Sequence, residues 1–289
     1  MEAMNKLLSA GFLRLWRNRA FHVCLLVMIG LPIYIIINQN NLAKSMGITL
    51  SIESSFFAYT VIIAVVLAAF ISLFFGVEYS DGTIRNKIMI GHSRVSIYLT
   101  NFILAVAAGL IMIFAYILTM LLVGVPLLDF FKAPFKVLLG FFIASILVLA
   151  AFVAIYMFIT MLISNKAITV ALSLLTCFVL YAITMTISQR LSEPEFYDGY
   201  SYDIPNANGT ITIIGDNFEK KKIENPAYLR GEKRERYQFA FDFLPLGQGF
   251  QITSMIEDAN LLRMQICSIG ITIVMTGAGV AIFRKKNIK

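Results

Sequence analysis

Residues 56–77 read FFAYTVIIAVVLAAFISLFFGV, an unbroken apolar run that contains no charged side chain. A helix of this length rises far enough to cross the hydrocarbon core of a bilayer, which is about 30 Å thick. A helix on the surface of a soluble domain would instead show one polar face at regular spacing. The run therefore predicts a membrane-spanning helix and decides the fold class of the chain around it.

Five further apolar runs lie on either side of this stretch. Together they give six predicted spans, at residues 21–37, 56–77, 95–125, 137–164, 167–188 and 263–283. The composition agrees, because 58% of the 289 residues are hydrophobic and only 14% are charged. A soluble domain needs more polar surface than this. We therefore expect an all-α membrane protein with six transmembrane helices.

An amphipathic segment precedes the first span. In residues 4–18, apolar positions such as Leu8, Leu15 and Trp16 recur at helical spacing, and basic residues fall between them. A basic helix with a tryptophan at its apolar edge is suited to the surface of a bilayer. The pattern predicts an amino-terminal interfacial helix. A cytoplasmic helix packed against another subunit is the alternative.

Basic residues are distributed unevenly between the loops, and this predicts the orientation. One set of flanks holds most of them: Lys6, Arg14, Arg17, Arg19, Arg85, Lys87, Arg94, Lys166, Arg284, Lys285, Lys286 and Lys289. The alternate short loops hold only Lys44, Lys132 and Lys136. Short loops rich in Lys and Arg stay in the cytoplasm. We therefore expect both termini in the cytoplasm, and we read the net charge of +7 as attraction to anionic lipid rather than to nucleic acid.

This orientation places a long segment outside the cell and divides the chain into three parts. Residues 1–188 contain the amphipathic helix and five spans, 189–260 form an extracellular cap, and 261–289 contain the last span and a basic tail. Within the cap, residues 210–214 alternate like a strand after a turn signal at Asn208-Gly209. Asn225-Pro226 predicts the start of a helix that runs toward Phe241.

The middles of the six spans contain no Asp, Glu, Lys, Arg or His. Carriers driven by protons or ions usually need such groups near the centre of the membrane, although sodium held by backbone carbonyls stays open as an alternative. The sequence also has no G-x-x-x-x-G-K-[ST] loop and no motif of a hydrolytic enzyme. The three cysteines lie far apart inside apolar runs. We therefore expect no catalytic, cofactor-binding or metal site, and any ATPase must be a separate subunit.

The loop between the second and third spans, residues 78–94, reads as a short surface helix. Asp81-Gly82 turns the chain, Thr83 is placed to cap a new helix, and Gly91 suits a left-handed stop. Ser93 is placed to cap the third span. A helix attached firmly to two spans would transmit a displacement to both of them, as a coupling helix requires. An ordinary basic loop that only fixes the topology is the alternative.

Two motifs and the overall layout resemble the ABC-2 type permeases of bacterial ABC transporters. The first motif runs from Glu78 through Asp81-Gly-Thr-Ile-Arg-Asn-Lys87 to Gly91-x-Ser-Arg94 and Ile97-Tyr-Leu99. The second is Leu244-Pro-Leu-Gly-Gln248, just before the last span. The resemblance covers nearly the full chain and includes the amphipathic helix, the six spans and the large loop before the sixth.

The resemblance implies a set of partners and a function. Two permease subunits, identical or related, would pair in the plasma membrane of a bacterium. Two cytoplasmic ATPase subunits that bind ATP and magnesium would dock below them. The complex would export a hydrophobic or amphipathic substrate such as an antimicrobial peptide, a toxin or a drug. The segment 189–260 is longer than in many members of the family, which leaves the substrate open.

The resemblance also assigns roles to residues. In the 78–94 loop, the implied ATPase-coupling residues are Glu78, Gly82, Thr83, Arg85, Asn86, Lys87, Gly91 and Arg94. Of these, Arg85, Asn86 and Lys87 would contact the ATPase, and Glu78 and Arg94 would anchor the two ends of the coupler. Pro245, Gly247 and Gln248 would shape a re-entrant or interfacial outer turn, with a plain surface turn as the alternative.

Two other functions remain open from the sequence. The chain could be a membrane receptor or immunity protein that binds an extracellular peptide through its outer segment without transport, or it could be an ion-coupled carrier. Small residues in the spans, namely Ala105, Ala108, Gly109, Gly277 and Gly279, are candidates for close helix packing.

Overall fold

The computed structural model describes residues 2–206, 209–214, 220–256 and 259–286. The chain forms two compact units, one made of Met1–Tyr181 with Asp242–Lys289 and the other of Ala182–Phe241. Among the described residues, six helices are long and apolar enough to cross a membrane. The chain is therefore a multi-pass membrane protein, and the predicted helical fold class of its spans is confirmed.

The regular structure described in the first unit is helical, apart from one isolated bridge between Ser51 and Asp129. Its helices are α1 (Glu2–Trp16), α2 (Arg19–Met46), α3 (Glu53–Phe56), α4 (Tyr59–Ser80), α5 (Thr83–Met89), α6 (Arg94–Thr119), α7 (Val125–Leu127), α8 (Phe135–Leu162), most of α9 (Lys166–Ser192), the end of α10 (Gly231–Phe243), α11 (Pro245–Thr253) and α12 (Leu261–Lys285). A π-helical segment, Met120–Gly124, joins α6 to α7. The six predicted spans correspond to α2, α4, α6 with its extension, α8, α9 and α12.

Helix α8 lies at the centre of this unit and packs against α4, α6, α11 and α12. Two of the predicted small residues permit close packing in the bundle. A Cβ atom on Gly109 would lie 2.7 Å from a methyl group of Leu149, and one on Gly279 would overlap the hydroxyl oxygen of the buried Tyr98. Gly277 has no such neighbour within the described residues, because nothing lies within 4 Å of its Cβ position. Close approach is therefore confirmed for two of these glycines.

Helix α1 packs along α6. Leu15 is fully buried, and a Cβ atom on Gly11 would lie 2.8 Å from a methyl group of Leu104. Trp16 is half exposed, and its ring meets that of Phe21 edge to face at 5.7 Å. The amphipathic helix is confirmed, and its apolar face packs against its own chain.

The second unit contains a three-stranded antiparallel sheet. Its strands β1 (Phe196–Asn206), β2 (Gly209–Ile214) and β3 (Lys220–Glu224) lie in the order β2-β1-β3. The predicted strand at 210–214 is confirmed as β2, where Ile211 pairs with Ile204. Asn208 of the predicted turn lies outside the described residues. The sequence did not predict β1 or β3.

The predicted helix start at Asn225-Pro226 is wrong, because α10 begins only at Gly231. The side chain of Asn225 explains the difference. Its carbonyl oxygen accepts a hydrogen bond from the backbone of Ala227 at 2.8 Å, and its amide donates to Glu193 at 3.0 Å and to the carbonyl of Pro194 at 2.9 Å. These bonds hold a tight turn where a helix would otherwise begin.

Candidate functional site

The segment 78–94 forms the predicted short helix, α5, between two spans. It begins after Gly82, whose φ of +67° lies in the left-handed region, and Gly91 follows its end with a φ of +98°. The backbone N–H of Gly91 donates to Ile88 at 3.0 Å, and that of His92 donates to Lys87 at 3.1 Å. This pair of bonds is a Schellman stop and confirms the predicted role of Gly91.

Two caps were predicted in this segment, and one of them is wrong. Ser93 caps α6 as expected, since its hydroxyl accepts a hydrogen bond from the backbone of Ser96 at 3.1 Å. Thr83 does not cap α5, because the N-cap position is Gly82. The Thr83 hydroxyl instead donates to the backbone carbonyl of Glu78 at 3.0 Å and ties the start of α5 to the last turn of α4.

A fully buried carboxylate, Glu78, forms the centre of this end of the bundle. One of its oxygens accepts a hydrogen bond from the ammonium of Lys87 at 2.8 Å and lies 2.5 Å from the guanidinium of Arg14. Its other oxygen accepts from the side-chain amide of Asn101 at 3.1 Å. We call these four residues the Glu78 cluster. It joins four helices, because its members lie on α1, α4, α5 and α6.

Burial makes these contacts necessary for the fold. A buried carboxylate has lost its water, so its charge must be compensated by cations and hydrogen-bond donors. The Arg14 guanidinium also lies over the ring of Phe74 at 4.2 Å, which orients it by a cation–π contact. The cluster therefore fixes α1 and α5 to the same side chain of α4.

The outer face of α5 is open. Ile84 is buried and Ile88 is half buried against the core, which confirms that these two residues share a face. Arg85 and Asn86 are exposed. Lys87, which was expected to contact a partner together with them, turns inward to Glu78 instead, and 25% of its side chain remains exposed.

Arg94 lies at the other end of the segment and holds the end of the last span. Its guanidinium donates to the backbone carbonyls of Phe283 at 3.3 Å, of Arg284 at 3.0 Å and of Lys286. The last carbonyls of a helix lack partners within the helix and carry the negative end of its dipole, so a guanidinium is a suitable cap.

Lys286 connects the same corner to α8. Its ammonium donates to the carbonyl of Met161 at 3.2 Å and lies 4.0 Å from the centre of the Tyr79 ring. The Tyr79 hydroxyl donates to the same carbonyl at 2.5 Å. Burial lowers the pKa of Lys286 from its ordinary value of 10.5 to about 8.

The predicted outer turn lies at the opposite end of the bundle and is a buried helix, α11. Pro245 occupies its first turn, and Pro245, Gly247 and Gln248 are all buried. The alternative of a plain surface turn is therefore wrong. The Gln248 amide donates to the carbonyl of Asp242 at 2.8 Å, and its oxygen accepts from the Ser268 hydroxyl at 2.6 Å.

A second buried carboxylate lies beside α11. Asp242 accepts a hydrogen bond from the Gln251 amide at 3.0 Å and from the Arg263 guanidinium at 3.1 Å. We call Asp242, Gln248, Gln251, Arg263 and Ser268 the Asp242 cluster. It connects the end of α10, α11 and the start of α12.

The sequence analysis identified Glu78 as an anchor but missed two of the residues that contact it, Arg14 and Asn101. Arg14 was read only as a surface charge, and Asn101 was not singled out. One signal was present in the sequence: Glu78 and Asn101 are polar residues within or at the edge of apolar runs, where a buried polar group needs a partner. Asp242 and Gln251 were also missed.

No protein family model matches this chain, and no curated protein shows significant similarity to it.

Proposed function

We propose that the chain is the membrane-spanning permease subunit of an ATP-binding cassette exporter. In this proposal the end of the bundle that holds the Glu78 cluster faces the cytoplasm. A separate ATPase docks there, a second permease subunit completes the complex, and a hydrophobic or amphipathic substrate leaves the cell. The resemblance of the 78–94 segment to ABC-2 type permeases suggests this class, and three physical observations support it.

The observation that carries the proposal is the connection of α5 to the bundle. A coupler must present side chains to its partner and must also be attached firmly to the helices that it moves. Arg85 and Asn86 are exposed, while the inner face of α5 is held by Ile84 and by the ion pair between Lys87 and Glu78. Because Glu78 also contacts Arg14 and Asn101, a displacement of α5 would reach α1, α4 and α6 together.

The absence of charge from the middles of the spans is the second support. A transporter of this kind has no carboxylate at the centre of the membrane to carry a proton, so its driving force must arrive at one end. The third support is the distribution of basic residues. Arg85, Lys87, Arg94 and Lys286 belong to the end with the Glu78 cluster, which is the end that the positive-inside rule assigns to the cytoplasm.

The direct test is charge reversal on the exposed face of α5. Arg85→Glu should insert and fold normally but should lower substrate-stimulated ATP hydrolysis by the complex reconstituted with its ATPase. Lys44→Glu, an exposed charge reversal near the end of α2, is the matched control and should leave hydrolysis unchanged. Equal turnover in wild type and Arg85→Glu would remove α5 from the coupling mechanism.

The orientation can be tested separately. Asp81→Cys and Lys132→Cys place exposed thiols at the two ends of the bundle. In intact cells, a membrane-impermeant thiol reagent should label the cysteine at 132 and should reach the one at 81 only after lysis. The reverse pattern would place the Glu78 cluster outside the cell and would contradict the proposal.

A receptor without transport is the second candidate, and the separate compact unit Ala182–Phe241 favours it. Its sheet would offer an outer surface for a peptide. Co-purification distinguishes the two candidates, since a permease should retain an ATPase subunit in mild detergent. Peptide binding by the purified chain, with no ATPase present and no effect of nucleotide, would support the receptor.

A further inference from the structure

A cavity of about 600 Å³ lies between α6 and α8, beside the π-helical segment. Seven of its lining residues are phenylalanines, three of which are Phe114, Phe131 and Phe135. Within the described part of the chain, the remaining lining residues are Ala, Ile and Leu only. Neither cluster described above contributes a side chain to this cavity, and the proposed coupling does not use it.

The wall of the cavity is a series of aromatic rings in edge-to-face contact. The ring of Phe131 lies 4.8 Å from that of Phe56 and 5.2 Å from that of Phe130, and the rings of Phe56 and Phe57 are 5.0 Å apart. Such contacts stabilise one another and keep the rings in place. These contacts therefore hold one wall of the cavity in shape.

An apolar cavity of this kind is a poor site for water, because a buried water molecule needs two to four polar partners. Its rim is open on one side, where Phe114, Phe130 and Phe135 are between 64% and 77% exposed. Both flanking helices are candidate membrane spans. The chemistry that fits is a flexible hydrocarbon chain entering from the bilayer.

Charges at the mouth of the cavity indicate which kind of molecule carries that chain. Lys132 and Lys136 are exposed and alternate in sequence with the lining residues Phe131, Ala133 and Phe135. The nearby carboxylate of Glu53 already accepts hydrogen bonds from the backbone N–H groups of residues 132 and 133. Asp129, also exposed, lies three residues before the first of these lysines. The two exposed lysines therefore put positive charge next to the apolar lining, which suits the phosphate of a lipid headgroup.

We propose that this cavity binds one acyl chain of a membrane phospholipid, with the phosphate of its headgroup held by Lys132 and Lys136. The lipid is retained as a structural ligand and differs from the freely exchanging lipids around the remaining apolar surface. This assignment stands independently of the permease proposal, because it rests on other residues and requires no ATPase.

Retention of a brominated lipid provides the test. Trp16 is the single tryptophan, so Trp16→Phe removes the native tryptophan fluorescence. Each of two reporter tryptophans can then be introduced separately into this background. Phe135→Trp places a reporter in the cavity lining, and Leu122→Trp places one on an exposed position of the π-helical segment outside the lining. Each variant is reconstituted in vesicles of phosphatidylglycerol brominated on its acyl chains and then purified again in bromine-free detergent.

After this washing, fluorescence of the Phe135→Trp reporter should remain quenched, whereas that of the Leu122→Trp reporter should recover. Equal recovery of both would show that the cavity holds no retained chain and would overturn the proposal. Mass spectrometry of the washed protein gives a second readout. The expected result is bound phospholipid, and detergent as the only occupant would also overturn it.

Headgroup recognition is tested with the double variant K132E/K136E. The protein is reconstituted in an equimolar mixture of phosphatidylglycerol and phosphatidylcholine, washed, and analysed for retained lipid. Wild type should be enriched in the anionic lipid, and the double variant should lose that enrichment while keeping its fold. Unchanged enrichment would show that the two lysines do not bind the phosphate.

Discussion

Among the described residues, each end of the membrane bundle contains one buried carboxylate, and the two differ in the number of cations beside them. Glu78 lies between two cations and one amide, while Asp242 accepts hydrogen bonds from one cation and from a glutamine amide. The short helix beside Glu78 has an exposed outer face, whereas the short helix beside Asp242 is buried almost throughout. Two cations accompany an accessible element at one end, and one cation together with glutamine amides accompanies a packed element at the other.

This difference indicates a division of roles. An ion pair keeps its attraction over a range of geometries, so α5 could shift and still remain attached to α4. The hydrogen bonds of Gln248 with Ser268 and with the Asp242 carbonyl join neutral groups, and such bonds weaken steeply when their length or angle changes. We therefore infer that the Asp242 cluster holds α11 rigid, and that the Glu78 cluster keeps a movable element connected.

The largest effect should follow from removing the charge at the centre of the first cluster. Glu78→Ala leaves Arg14 and Lys87 without their shared carboxylate, and loss of one partner of a buried pair costs about 3–5 kcal/mol. Both cations are partly exposed, so we expect about 3 kcal/mol, at the lower limit of that range. The measurement is the free energy of unfolding in mixed detergent micelles. Asp81→Ala, an exposed carboxylate in the same segment, is the control and should change it by less than about 0.5 kcal/mol. Similar small losses in both variants would contradict the cluster's role.

A smaller loss is expected at the opposite end. Gln248→Leu keeps the volume approximately but removes the acceptor of the Ser268 hydroxyl and one donor to the Asp242 carbonyl, and an unsatisfied buried group costs about 1–3 kcal/mol. We expect about 2 kcal/mol in the same unfolding measurement. Gln265→Leu, a half-buried residue on the same helix as Ser268, serves as the control. A loss larger than that of Glu78→Ala would reverse the ranking of the two ends.

Packing of α11 on α4 can be tested with one methyl group. A Cβ atom on Gly249 would lie 3.2 Å from the backbone oxygen of Thr60. This close contact is hard to relieve, because a backbone atom cannot move aside as a flexible side chain can. Gly249→Ala should therefore destabilise by about 1 kcal/mol after the gain in helix propensity is included. Gly270→Ala on α12 meets nothing within 4 Å in the described part of the chain and should be neutral or stabilising. If both variants behave alike, α11 is not rigidly packed.

The free energy of unfolding should also depend on pH, through Lys286 at the end with Glu78. The pKa of Lys286 is about 8 in the folded chain and near 10.5 when the chain unfolds. Between these values the unfolded state binds more protons, so stability should rise as pH increases from about 8 to about 10.5. Replacing Lys286 with Met should remove this rise, and Lys285→Met, an exposed neighbour, should keep it. Thermal unfolding at pH 7.5 and pH 9.5 provides the measurement.

The sequence was sufficient for the spans because each requires only a local property, a long apolar run. It also predicted α5 and its Gly91 stop, which depend on turn residues within a few positions. The sequence could not identify Arg14 as a partner of Glu78, because Arg14 lies on another helix. Charge alone does not indicate whether a side chain faces the surface or a buried carboxylate.

Two errors have the same physical origin. Thr83 and Asn225 both suit helix starts by residue type, but each forms a hydrogen bond to a nearby element that decides its position. The burial of α11 was not predicted either, because the residues Leu244-Pro-Leu-Gly-Gln248 are compatible both with a re-entrant or interfacial turn and with a plain surface turn. The burial of Pro245, Gly247 and Gln248 and the packing of Gly249 against Thr60 distinguish the two cases.

The two left-handed glycines that bracket α5 fix its length as well as its ends. Since each residue of an α-helix turns by about 100°, one inserted residue between Gly82 and Gly91 would rotate the far part of α5 by that angle. Ile88 would leave the core, and the backbone stop would no longer coincide with the start of α6. Substitutions on the exposed face of α5 should therefore be tolerated far better than any change in its residue count.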